Sequence, residues 1–159
     1  MSTAINAVIF AVTLVLTVLL FRRKGSWSIG HARKAFRFFT VQSNVFCAVS
    51  ALLMCLFPAQ SWSWTLKYIG TSAVTVTMLT VFFFLGPSMG GYGPLLKGSD
   101  FFMHLVTPIL SIVSFCAFER RGMSFATAML GMLPVALYGV LYLYKIIYAR
   151  ADRRWADFY

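Results

Sequence analysis

Two side chains stand out for the chemistry they could share. Thr40 lies in FRFFTVQSN (36–44), just inside the second apolar run of the chain. His104 lies in DFFMHLVTPIL (100–110), just inside the fourth. A neutral imidazole beside a hydroxyl can take its proton and turn it into a nucleophile toward an ester. If both runs are helices entering from one side, a rise of about 1.5 Å per residue puts both groups roughly 5 Å below the same surface. Spacing does not say whether they face each other. Ser43 and Asn44, three and four residues on, share the face of Thr40. Thr107 and Pro108 stand in the same relation to His104, and Pro108 has no N–H for the His104 carbonyl. Both helix starts add a partial positive charge that favours negative charge developing at Thr40. Asn44 or Gln42 could donate to an oxyanion, with Ser43 and Thr107 as further substrate-binding candidates. The same residues also have structural uses. A threonine in a membrane helix commonly bonds the carbonyl three or four residues back, and a histidine near a helix start can reach to the interface.

The remaining polar groups narrow the chemistry. The carboxylates Asp100, Glu119, Asp152 and Asp157 fall between the apolar runs or in the tail. No Lys or Arg is expected in mid-span, which leaves His104 as the acid–base group inside one. That pattern argues against a proton pump built on carboxylate relays and excludes a buried pair of glycosidase carboxylates. It also provides no Asp or Glu to orient the histidine, so a Thr–His dyad is expected in place of a triad. Cys47, Cys55 and Cys116 lie in apolar runs without a CxxC pair and read as small buried hydrophobes. With His31 and His104 they make no metal set, and neither a metal nor another cofactor is expected.

The elements that would hold these residues are transmembrane helices. The chain of 159 residues is 60% hydrophobic and 11% charged, with a mean hydropathy of +0.79. Soluble domains carry about 25% charged residues. The expectation is one all-α domain over 1–159, a polytopic membrane bundle with helices over 4–21, 36–57, 66–85, 101–118 and 125–147 and a basic tail over 148–159. Each run is near the ~20 residues that cross a bilayer. Pro58 and Gly86-Pro87 end the second and third runs, Ser99 and Asp100 are expected to cap the fourth, and Pro134 lies inside the fifth.

Charge sets the orientation. No basic residue precedes the first run, while Arg22, Arg23 and Lys24 follow it, the reverse of a secretory signal. Every Lys and Arg except Lys67, Arg120 and Arg121 falls on the side of the first loop. The N-terminus is therefore expected outside and the first loop in the cytoplasm. This distribution accounts for the net charge of +10, so nucleic acid is not an expected partner. Trp27, Trp62, Trp64 and Trp155 fall near the expected interfaces. Small residues (Gly70, Ala73, Thr77 and Thr80 in the third run; Thr127, Gly131 and Gly139 in the fifth) form stripes suited to close helix packing. Gly86 and Gly90 are spaced as GxxxG but fall at a loop.

FRFFTVQSN and FFMHLVTPIL together resemble segments of the androgen-induced and androgen-dependent TFPI-regulating proteins and their small bacterial relatives. The resemblance covers roughly residues 36–148. It implies a transmembrane threonine hydrolase that cleaves fatty acid esters of hydroxy fatty acids, with Thr40 as nucleophile and His104 as the second essential residue. It also implies a bacterial inner-membrane location, membrane lipid as surroundings, a lipid ester as substrate, and a sixth helix after the loop that starts at Arg150. Two other readings stand beside it. One is a non-catalytic structural or assembly protein in which the polar cluster joins helices. The other is a small transporter or channel, which would call for repeats or mid-span binding groups that the sequence lacks.

Overall fold

The computed structural model describes residues 1–23, 26–149 and 155. Lys24 and the tail residues Arg150, Asp152, Arg153, Arg154 and Asp157 lie outside the described residues. The chain forms an all-α bundle, as expected, with five helices long and apolar enough to cross a membrane. They are α1 (Ser2–Leu19), α3 (Phe39–Leu56), α4 (Ser61–Ser88), α5 (Ser99–Phe118) and α6 (Phe125–Tyr148). Between α1 and α3 run a small antiparallel pair, β1 (Arg22–Arg23) with β2 (Ser26–Trp27), and a short helix, α2 (Ile29–Ala35). The sequence reading missed α2. Its signal was Ser28, whose hydroxyl accepts from the N–H of His31 as an N-cap.

α3 lies at the centre, against α1 on one side and α4 on the other, and α5 packs on α4 and α1. Ile9, Cys47, Ala51 and Val74 form one apolar cluster, and Leu16, Val41 and Met103 another toward the α2 end. Of the cysteines, Cys47 is buried as expected, Cys55 is half-buried and Cys116 is exposed.

The small-residue stripe of α4 explains its closeness to α3. Gly70, Ala73 and Thr77 are buried, and a Cβ at Gly70 would stand 2.5 Å from Ser50 Oγ and 3.1 Å from the Cα of Cys47. In lipid, where apolar side chains gain little by leaving the solvent, such close packing is what holds helices together. Gly70→Val is therefore expected to cost about 1–3 kcal/mol, read as a lower melting temperature in detergent. An unchanged melting temperature would show that the α3–α4 contact is slack.

α6 is attached more lightly and packs mainly on α4. Tyr68 donates to the Ala128 carbonyl at 2.9 Å, and Tyr138 donates to the Arg37 carbonyl at 2.9 Å. The helix is interrupted at Gly131–Met132 and restarts with Pro134 in its first turn. Proline has no N–H for the carbonyl four residues back, so the break falls just before it.

Several boundaries differ from the sequence reading, and two of the differences matter. α4 begins at Ser61, well before residue 66, which carries Lys67 nearly two turns inside the helix. α5 is capped at Gly98, so Ser99 and Asp100 stand in its first turn and cap nothing. Gly98 takes φ +60°, a conformation that favours glycine over a residue with a Cβ.

Candidate functional site

Thr40 is the second residue of α3, and His104 sits one turn inside α5. Both line one cavity of about 490 Å³ at the α2 end of the bundle. α2 contributes His31, Lys34 and Ala35 to the wall, the start of α5 contributes Ser99, Asp100 and Met103, and apolar side chains such as Leu20, Leu85, Met89 and Leu95 line the rest. The cavity thus combines an apolar interior with charged groups from two elements.

Thr40 is held by its backbone and left open at its side chain. Its carbonyl accepts from Asn44 Nδ2 at 2.8 Å and from Ser43 Oγ at 3.1 Å. Its hydroxyl makes no hydrogen bond among the described residues, unlike Thr17, Thr65, Thr75 and Thr77, each of which bonds the carbonyl four residues back. The side chain is half-buried. No side chain caps α3, so the first-turn N–H groups of Phe39, Thr40 and Val41 have no protein acceptor among the described residues. Unpartnered N–H groups at a helix start are ready donors for negative charge.

His104 is buried, and its Nδ1 lies 2.7 Å from the Leu95 carbonyl. A carbonyl only accepts, so Nδ1 carries a hydrogen, and in the neutral imidazole the lone pair is therefore on Nε2. Two local features set this geometry. Pro108 removes an N–H from the helix, and the preceding turn, Phe102–Val106, widens so that the Thr107 N–H reaches the Phe102 carbonyl. The loop between α4 and α5 presents Leu95. Tyr92 packs its ring against Gly86, where any Cβ would overlap it, and donates to the Phe82 carbonyl at 2.9 Å. The N–H of Leu95 then bonds the Tyr92 carbonyl at 3.0 Å. Gly86 thus matters by meeting Tyr92 and has no role in a GxxxG contact.

The other sequence candidates fall elsewhere. Asn44 is fully buried and gives its amide hydrogens to the Thr40 carbonyl and, at 3.0 Å, to the Met103 carbonyl. It ties the nucleophile candidate's helix to the residue before His104 and has no hydrogen left for a ligand. Gln42 donates to the Phe36 carbonyl at 2.8 Å and faces a different cavity, between α3, α4 and α6, with Ser43 beside it. Ser43 also bonds the Thr77 hydroxyl at 2.8 Å. Thr107 is buried one turn beyond His104, behind the cavity wall. Asn44→Ala is expected to lower stability by about 2 kcal/mol, since the bridge from α3 to the Met103 carbonyl is lost and the Thr40 carbonyl keeps only Ser43 as a side-chain donor. Any activity of the cavity should fall with it. Full stability in a chemical or thermal melt would refute the bridging role.

A second polar cluster lies at the opposite end; the sequence reading set Lys67 at the outer edge of its third run and Glu119 in a loop. Lys67 is fully buried and donates to Ser111 Oγ at 3.1 Å, while Ser111 also meets Thr71 Oγ1 at 2.8 Å. Glu119, just after α5, is buried as well and accepts from Ser2, Asn6 and Ser114. Its backbone carbonyl accepts from Trp64 Nε1 at 2.6 Å, so Trp64 is a buried anchor, whereas Trp27 and Trp62 are exposed. An acid and a base are therefore enclosed within the bundle in addition to His104. The missed signal was the helical register. Ser111 and Ser114, three residues apart, put hydroxyls on one face of α5.

Among the described residues, no group of three or more His, Cys, Asp or Glu side chains could hold a metal ion. Comparison with models of protein families, with curated proteins and with solved structures finds no match to this chain.

Proposed function

We propose that the protein is a membrane-embedded lipid-ester hydrolase with Thr40 as nucleophile and His104 as base. The observation that carries this reading is the shared cavity. An uncommitted threonine hydroxyl and a histidine with a free Nε2 line the same 490 Å³ space. His104 Nε2 takes the proton as Thr40 Oγ attacks the acyl carbon. The N–H groups of the first turn of α3 receive the charge on the tetrahedral oxygen. The oxyanion role thus passes to the backbone, because both amide hydrogens of Asn44 are spent and Gln42 faces a different cavity. His104 returns the proton to the leaving alkoxide, and water, activated by the same nitrogen, releases the acid. The Leu95 carbonyl orients the imidazole, the task an aspartate performs in a triad. By the charge bias of the loops the cavity opens at the cytoplasmic face, and the resemblance favours a bacterial inner membrane. Ester groups of bilayer lipids meet such a depth naturally. A fatty acid ester of a hydroxy fatty acid is the substrate class that the sequence resemblance favours.

The test is labelling of the purified protein with a fluorophosphonate, followed by mass spectrometry of the adduct. An adduct on Thr40 that is lost in a folded His104→Ala variant supports the reading. A folded wild-type protein that gives no adduct would favour the structural reading, in which Ser43, Asn44 and Thr77 serve only to join helices.

A further inference from the structure

Thr40 and Leu85 belong to two hollows at once. Besides the cavity shared with His104, they line a groove of about 200 Å³ between α4 and α6, with Val76, Val81, Val135 and Tyr138 on its walls. The two hollows differ in chemistry. The cavity has His31, Lys34, Ser99 and Asp100 at its wall. The groove presents mainly carbon, although Thr80 on its wall has a hydroxyl that bonds nothing among the described residues. Its Thr77 hydroxyl is spent on Ser43 and the Ala73 carbonyl, and its Tyr138 hydroxyl on the Arg37 carbonyl.

From this we infer that Thr40 stands at a partition, with the acyl chain of the ester in the α4–α6 groove and the alcohol half in the His104 cavity. The inference rests on the hydrolase reading and follows from the direction of its proton transfer. As the Thr40 Oγ–acyl carbon bond forms, the bond from that carbon to the alcohol oxygen breaks. The proton taken from Thr40 returns to the alkoxide from His104. His104 lines the cavity and not the groove, so the alkoxide leaves on the cavity side. The acyl chain takes the other hollow that Thr40 touches. The water that cleaves the acyl-threonine must also meet His104, and it arrives by the polar cavity that the alcohol has vacated. α6, lightly attached and flanking the groove, is then the wall past which a lipid chain enters from the bilayer.

The experiment uses the full chain in lipid nanodiscs and an alkyl fluorophosphonate bearing a diazirine near the end of its chain. Phosphorus takes the place of the acyl carbon, the Thr40 Oγ–P bond forms, and fluoride leaves, so the alkyl chain occupies the acyl position. After irradiation, cross-links are expected on Val76, Val81 or Val135. In Val135→Trp, labelling by a hexadecyl reagent should slow by about tenfold or more while labelling by a butyl reagent is retained. Cross-links on Leu20, Ala35 or Leu95, or on lipid alone, would overturn the partition while leaving Thr40 as nucleophile. Equal slowing of both reagents in Val135→Trp would do the same. A folded protein with no Thr40 adduct would overturn the hydrolase reading, and this inference with it.

Discussion

Thr40→Ala is expected to lower ester hydrolysis by about three orders of magnitude or more while leaving the fold intact. The two halves of that expectation have separate grounds. Loss of activity follows from removing the attacking oxygen. Retention of the fold follows from the half-buried hydroxyl that bonds nothing among the described residues, so its removal should change stability by no more than about 0.5 kcal/mol. His104→Ala should lose activity to a similar degree, and the double variant should be little worse than either, because the two residues act in one step. Thr40→Ser keeps an oxygen in place and should retain measurable turnover. Hydrolysis of a short-chain ester and of a lipid ester, with a thermal melt of each variant, would test all of this. If Thr40→Ala hydrolyses as wild type does, the dyad is wrong. If it loses activity only together with its fold, the residue is structural.

Glu119→Ala is expected to give the largest loss of stability among single substitutions in the bundle, about 3–5 kcal/mol. The carboxylate serves three donors, on Ser2, Asn6 and Ser114, and its removal leaves the buried Asn6 amide and Ser114 hydroxyl only long bonds, to Ser2 Oγ at 3.3 Å and to Asn6 Oδ1 at 3.4 Å. The fully buried Lys67, bonded to Ser111, lies at the same end of the bundle. An isolated ammonium within the bundle is costly to keep. Replacing Lys67 by methionine in the Glu119→Ala background should therefore restore part of the loss, a coupling of at least about 1 kcal/mol in a double-mutant cycle. The measurement is unfolding in mild detergent followed by circular dichroism. A loss below about 1 kcal/mol, or strict additivity, would show that water reaches the cluster and screens it. Activity at Thr40, at the other end of α3, should survive wherever the protein stays folded.

The bundle was legible because its cause is one-dimensional. Runs of about 20 apolar residues can meet the needs of their backbone in lipid only as helices, so composition and run length fix the class and the number of spans. That Thr40 and His104 lie near helix starts was legible, although the helices begin at Phe39 and Ser99 and not at 36 and 101, so Thr40 is the second residue of α3 and His104 the sixth of α5, and helical rise alone does not set them level. Their rotation toward one cavity was not. It depends on Asn44 bonding across to the Met103 carbonyl and on the widened turn before Pro108, both of which act between elements. The Leu95 carbonyl was out of reach as well, because a backbone acceptor carries no mark in its own side chain. It becomes visible only once Tyr92 has closed over Gly86.

The clearest division lies at Lys67 and Glu119. The sequence placed them at the edges of apolar runs, where charges ordinarily meet water, and counted them as outer-loop residues. The tertiary structure decided otherwise, because α4 starts at Ser61 and the ends of α1 and α5 close over both side chains. Hydropathy averages over a window and so registers how many charges a segment bears, but not toward what they turn. What the sequence determined by itself is a membrane bundle of five helices, with two reactive residue types near helix starts. What only the packing decided is which polar groups are spent on holding helices together, as Asn44, Ser43 and Glu119 are, and which, like the Thr40 hydroxyl, remain open to a substrate. Hydrogen-bond partners from other helices make that distinction, and they are set by rotation and register between elements.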